Sequence, residues 1–302
     1  MGASRPIGSK LQGANSMADM SLRGLVGAAD GVTQSFLSQT YPAIAGAISA
    51  PIYLAAVLYW ALFGYKVYAG YAPLAWKDLL AKAVMTVAVF GTLNWGGLAQ
   101  VLYSAFVSFM EGAAATLMAG KPTAQMLDAL WNNVEAVSDR LRSVDFYQFA
   151  MICDGILLFV MNCILFVLAL VYMTIAKFGL AITMVLCPLF AGFLMFPETR
   201  QWFMNWVSKM LTFCLIYILV IAIVRFGFLA FGDAIDTAGK VAQSDGLATS
   251  EQTAQLVIVE GVLILFMLGV RGWASALAGG ASSSTGTLVM IARMALAKGA
   301  GK

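Results

Sequence analysis

Two stretches of this chain carry no charged side chain over lengths that match a lipid bilayer: Gly31 to Tyr65 and Ala83 to Met110. A helix rises about 1.5 Å per residue, so roughly 20 apolar residues cross a hydrocarbon core of about 30 Å. Further apolar runs follow at Gly155–Ala176, Phe178–Pro197, Met210–Gly232 and Ala254–Ala278. Inside a bilayer the backbone must satisfy its own hydrogen bonds, and long uninterrupted apolar runs do so as helices. Charged residues make up only 11 % of the chain, against about a quarter in soluble domains. The chain reads as an all-α, polytopic membrane protein.

The polar segments divide it. Residues 1–43 form an N-terminal segment in which Leu22, Leu25, Val26, Ala29, Val32 and Phe36 recur at helical spacing, an amphipathic helix that Tyr41-Pro42 should close. Residues 44–110 hold the first two spans, the second bent at Asn94-Trp95-Gly96-Gly97. Residues 111–154 are the one sizeable polar segment in the middle of the chain. There Leu127, Leu130, Trp131, Val134, Val137 and Leu141 form an apolar stripe, with Asp128, Glu135, Asp139 and Arg142 off it. A second amphipathic helix is expected, lying outside the membrane. Its stripe must then cover the chain's own N-terminal helix, a sister subunit or a partner, which makes it a candidate docking face. Residues 155–278 form the C-terminal membrane bundle and 279–302 a short tail.

Charge sets the expected topology. With 66–82, 177–209 and 271–302 in the cytoplasm, the inner side holds ten of the 18 Lys and Arg and two of the 15 acidic residues. That is the direction of the positive-inside rule. It puts the N-terminus outside and the C-terminus inside, and it needs one apolar run to enter and leave on the same side. Pro188 divides Phe178–Pro197 into two pieces of about 15 Å each, half a bilayer. The expected fold is therefore about five transmembrane helices plus one re-entrant or inner-leaflet hairpin. The alternative is that Pro188 kinks a sixth crossing.

Chemistry is constrained by what is missing. The chain has no histidine, which removes imidazole bases and most transition-metal sites. Cys153, Cys163, Cys187 and Cys214 lie in or beside apolar runs with no CxxC pair, and read as small packed hydrophobes. No phosphate-cradling GxxxxGK[ST] is present and the carboxylates are scattered. No enzyme, cofactor or metal is expected.

The most distinctive segment runs from Cys187-Pro188-Leu189-Phe190 through Phe196-Pro197-Glu198-Thr199-Arg200 to Trp206. A Pro-Leu-Phe break, an aromatic-rich stretch, a Thr-Arg pair and a tryptophan before the next span resemble the TrbL/VirB-six family, polytopic inner-membrane subunits of type IV secretion and conjugation systems. The layout of the chain is similar too. The resemblance implies a non-enzymatic channel or platform in the bacterial inner membrane. It implies a homo-oligomeric ring, a pentamer in the family, that seats a stalk or minor pilin subunit and neighbours other inner-membrane secretion subunits and the secretion ATPases. Pro188, Phe196, Arg200 and Trp206 carry the motif, with Trp206 either a specific contact or an ordinary interfacial anchor.

Arg225 and Glu260 fall about six residues inside the outer ends of adjacent antiparallel spans, so both should sit about 9 Å deep. Charges at that depth seek partners, and an Arg225–Glu260 ion pair is expected; snorkelling or a wet lumen are the alternatives. A function of a different class, a secondary transporter with a midplane site, would need two related halves with matched broken helices. The surroundings of Asn94–Gly97 and Pro188 do not match.

Overall fold

The structure, a computed structural model, describes residues 22–71, 75–118, 123–143, 149–243 and 250–279. Among them there is no strand. The helices are α1 (Leu22–Tyr68), α2 (Trp76–Gly91), α3 (Gln100–Leu117) entered through a π-helical turn at Trp95–Ala99, α4 (Thr123–Arg142), α5 (Phe149–Val185), α6 (Cys187–Phe193), α7 (Arg200–Gln243) and α8 (Ser250–Gly279). Five segments are long and apolar enough to cross a membrane: Asp30–Tyr68, Trp95–Leu117, Met151–Val185, Arg200–Gly227 and Thr253–Gly279.

Two helices run on where the sequence suggested they would stop. Tyr41-Pro42 does not close the N-terminal helix, because α1 continues through both Pro42 and Pro51. Tyr41 is buried instead, with its hydroxyl donating to the Thr92 carbonyl and its ring 5.0 Å from Trp95. Neighbouring helices can hold a proline-containing helix together in this way. Nor does Lys177 end a span. It lies inside α5, 6 % exposed, with its ammonium 5.7 Å from the centre of the Tyr217 ring. The expected run Phe178–Pro197 is therefore not one unit. Its first part is the end of α5, and Pro188 opens the short helix α6.

The bend in the second apolar stretch falls where expected. α2 stops at Gly91, and the chain re-enters helix at Trp95 after an extended Asn94. Gly97 there takes φ −98°, ψ −141°, and a Cβ on it would meet the Gly91 carbonyl oxygen at 2.6 Å. Glycine is thus demanded by the close backbone approach. The break frees backbone groups, and the Tyr41 hydroxyl satisfies one of them at Thr92.

The described residues fall into two compact units. One draws on stretches within 1–32, 114–174 and 220–268, the other on 33–113, 175–219 and 269–302. In the first, α4 lies antiparallel on the early part of α5. Ser138 Oγ donates to the Gly155 carbonyl at 2.7 Å, Trp131 rests on Phe159 and Phe166, and Arg142 sits over Phe159. In the second, Ile52, Ala56 and Tyr59 of α1, Val89 of α2 and Met195 form a shared core. Lys82 adds a polar clasp, its ammonium bonded to the Tyr59 hydroxyl and close to the Tyr59 and Phe63 rings.

Candidate functional site

The segment after α5 is built around helix ends. α5 finishes at Val185, so the carbonyls of its last turn lack the usual partners four residues on. Pro188 contributes no N–H, and Leu186 gives Thr183 only a long 3.3 Å backbone bond. Trp206, reaching across from α7, donates its indole N–H to the Thr183 carbonyl at 2.9 Å. Its ring stacks on Phe190 at 5.9 Å and 15° and meets Phe203 at 5.5 Å. Only 3 % of Trp206 is exposed. It is a buried cap and spacer joining α5, α6 and α7.

The other motif residues complete the turn. Phe196 meets Tyr59 edge to face at 5.8 Å, fixing the segment to α1. Thr199 Oγ1 donates to the Phe193 carbonyl at 2.7 Å, and the N–H groups of Thr199 and Arg200 return to Phe196. Arg200 opens α7 and is exposed. Trp202, absent from the sequence-derived set, packs edge-on against Phe193 at 5.0 Å and leaves 55 % of its surface exposed. Its signal was its position one turn before Trp206 in an aromatic-rich stretch.

The remaining candidates lie elsewhere in the fold. Of the amphipathic stripe, Val134, Val137 and Leu141 are buried and Trp131 is half-buried on the chain's own α5; the side chains of Leu127 and Leu130 lie outside the described residues. That part of the candidate docking face is already covered from within the chain, by α5 rather than by the N-terminal helix. Arg225 and Glu260 do not pair. Both carboxylate oxygens of Glu260 are buried without a hydrogen-bond partner. The cause is register: Phe226 meets Phe266, and Gly227 faces Leu263. Arg225 is thereby level with residues near 266, about 9 Å of helix rise from Glu260. No cluster of three or more metal-ligating side chains occurs among the described residues.

The family described as TrbL/VirB6 plasmid conjugal transfer protein matches residues 56–270, from the last third of α1 to the last third of α8. The chain belongs to the TrbL/VirB6 family. No curated protein matches it. The matched range takes in the Asn94–Gly97 break, the Trp206 cap, and both Arg225 and Glu260, so these belong to the family portion of the chain. TrbL/VirB6 membership makes it a multi-pass membrane component of a conjugal transfer or type IV secretion system, in a family known for structural rather than enzymatic roles.

Proposed function

We propose that this TrbL/VirB6 chain is a structural inner-membrane subunit that assembles with copies of itself into a ring, a channel or platform that seats the stalk or minor pilin subunit on its outer face. The supporting observation is an apolar stripe on α5. Ile156, Val160, Ile164, Val167, Val171, Ile175 and Ile182 are all exposed, and the stripe is about 39 Å long at helical rise. A hydrocarbon core of about 30 Å covers that length only at a tilt of about 40°, the limit for membrane helices. A sister subunit along α5 covers what lipid leaves bare. The α4 face bearing Asn132, Glu135 and Asp139 then remains for the stalk subunit, and the basic residues Lys66 and Arg200 face the ATPase layer.

In this reading the N-terminus is periplasmic and the C-terminus cytoplasmic. α6, with seven residues, reaches only about 10 Å and turns within the inner leaflet. Mass measurement after mild detergent extraction tests the ring. Several copies are expected, and Val167→Lys should reduce them to inserted monomers. A wild-type protein that is inserted but solely monomeric overturns the ring. Single cysteines at Glu198 and Gln201 in a cysteine-free background test the orientation, since both should resist an impermeant maleimide in intact cells.

A further inference from the structure

One face of α7 carries three hydrogen-bond donors that the fold leaves unused, beside an apolar groove. Trp202, Asn205 and Lys209 follow one another at helical spacing and all three are exposed. The Asn205 side-chain oxygen accepts from Gln201 at 3.0 Å, which leaves its amide N–H groups free. Neither the Trp202 indole N–H nor the Lys209 ammonium meets an acceptor among the described residues. The contrast with Trp206, whose N–H is committed to Thr183, is direct. Three donor groups on one face, one of them a cation, suit an anion.

The groove these donors border has a volume of about 420 Å³ and is otherwise lined by Leu186, Phe190, Trp206 and Phe213, with little polar surface. Lys209 also has basic company along the helices. Ser208 Oγ bonds to the Ala278 carbonyl, and Lys177 lies over Tyr217. These contacts put Lys177, Lys209 and Arg271 within about 12 Å of helix rise. α7 has no acidic residue before Asp233, and the nearest one upstream is Glu198, ahead of the helix. A cation on a candidate span (Arg200–Gly227) either snorkels or finds an anion.

We propose that this site binds an anionic phospholipid, its phosphodiester held by Lys209, Asn205 and Trp202 and one acyl chain lying in the groove towards Phe213. An amphiphile with one negative charge satisfies both halves of the site at once. A soluble anion would leave the apolar groove empty, and an uncharged lipid would leave the ammonium unmatched.

Native mass spectrometry of the intact chain tests this with phosphatidylglycerol and phosphatidylcholine as probes. The wild type should retain phosphatidylglycerol in preference to phosphatidylcholine. Lys209→Ala should weaken that retention by about tenfold, the usual loss for one charge-assisted contact. Trp202→Phe, which keeps the ring and removes the N–H, should weaken it less. Leu186→Trp should reduce retention by filling the groove with Lys209 intact, and Lys82→Ala, a cation already held by Tyr59, should leave it unchanged. Equal retention of the two lipids, or no change in Lys209→Ala, overturns the proposal. So does a Lys209→Ala variant that loses its sister subunits while keeping its lipid, because the groove is then an interface between copies.

Discussion

The strongest test of the α5–α7 junction is to separate what the Trp206 indole does as a donor from what it does as a ring. Trp206→Phe keeps a flat ring against Phe190 and Phe203 and removes the N–H that reaches the Thr183 carbonyl, together with one ring of the indole. That carbonyl is then left with the 3.3 Å bond from Leu186. An ill-satisfied buried acceptor costs about 1 kcal/mol. Trp206→Ala adds a cavity where a fully packed indole stood, and the total should reach about 3–5 kcal/mol. Trp202→Ala removes a ring that is mostly exposed and should cost under about 1 kcal/mol. Thermal or SDS-induced unfolding of detergent-solubilised protein, followed by size-exclusion chromatography, ranks the three. Expected losses run Trp206→Ala, then Trp206→Phe, then Trp202→Ala. Equal destabilisation at 202 and 206 would refute the assignment of Trp206 as the cap, and equal losses from Trp206→Phe and Trp206→Ala would refute the ring's share.

Three further outcomes follow from the packing. Gly179→Leu should disrupt the α5–α7 contact, since even a Cβ there falls 2.3 Å from Phe213; Phe213→Ala in the same chain should recover part of the folded yield. Glu260→Gln should be neutral or stabilising by up to about 1 kcal/mol in the same unfolding assay, because the carboxyl has no partner to lose there and the amide cannot ionise. Exchanging the charges, Arg225→Glu with Glu260→Arg, should bring no rescue over the single variants, and clear rescue would show that the register described for α7 and α8 is wrong. Tyr41→Phe should destabilise by about 1 kcal/mol by withdrawing the hydroxyl from Thr92, and a silent substitution would remove that contact from the account of the helix break.

The spans were legible because apolar length is a direct measure of bilayer thickness, and the Asn94–Gly97 break because two adjacent glycines weaken helix locally. Pro42 and Lys177 misled for one shared reason. Each is a stop signal in water, but here packing against other parts of the bundle keeps the chain helical: Tyr41 of α1 bonds to the Thr92 carbonyl, and the Lys177 ammonium lies over Tyr217 of α7. Arg225 and Glu260 show a different limit. Distance from a span's end fixes depth only if the helices meet in register, and that register is set by Gly227 and Phe226 against α8. Trp202 and Trp206 share nearly one helix face, so spacing could not say which turned inward. The deciding partner was a carbonyl twenty-three residues earlier in the chain.

The helix break at Thr92–Asn94 also bears on the order in which the protein is made. α2 has 16 residues and measures about 24 Å, short of a hydrocarbon core of about 30 Å, and carries Lys77 and Asp78 in its first turn. Left alone beside the translocon it has little reason to enter lipid. What holds it are contacts to α1: Trp60 with Thr86, Tyr59 with Lys82, Tyr53 with Phe90. Synthesis delivers α1 first, so α2 can be recruited by a helix already in place, with Trp95–Leu117 following as a segment able to insert on its own. A chain in which α1 is delayed or removed should therefore leave α2 stranded at the membrane surface while the later helices still insert.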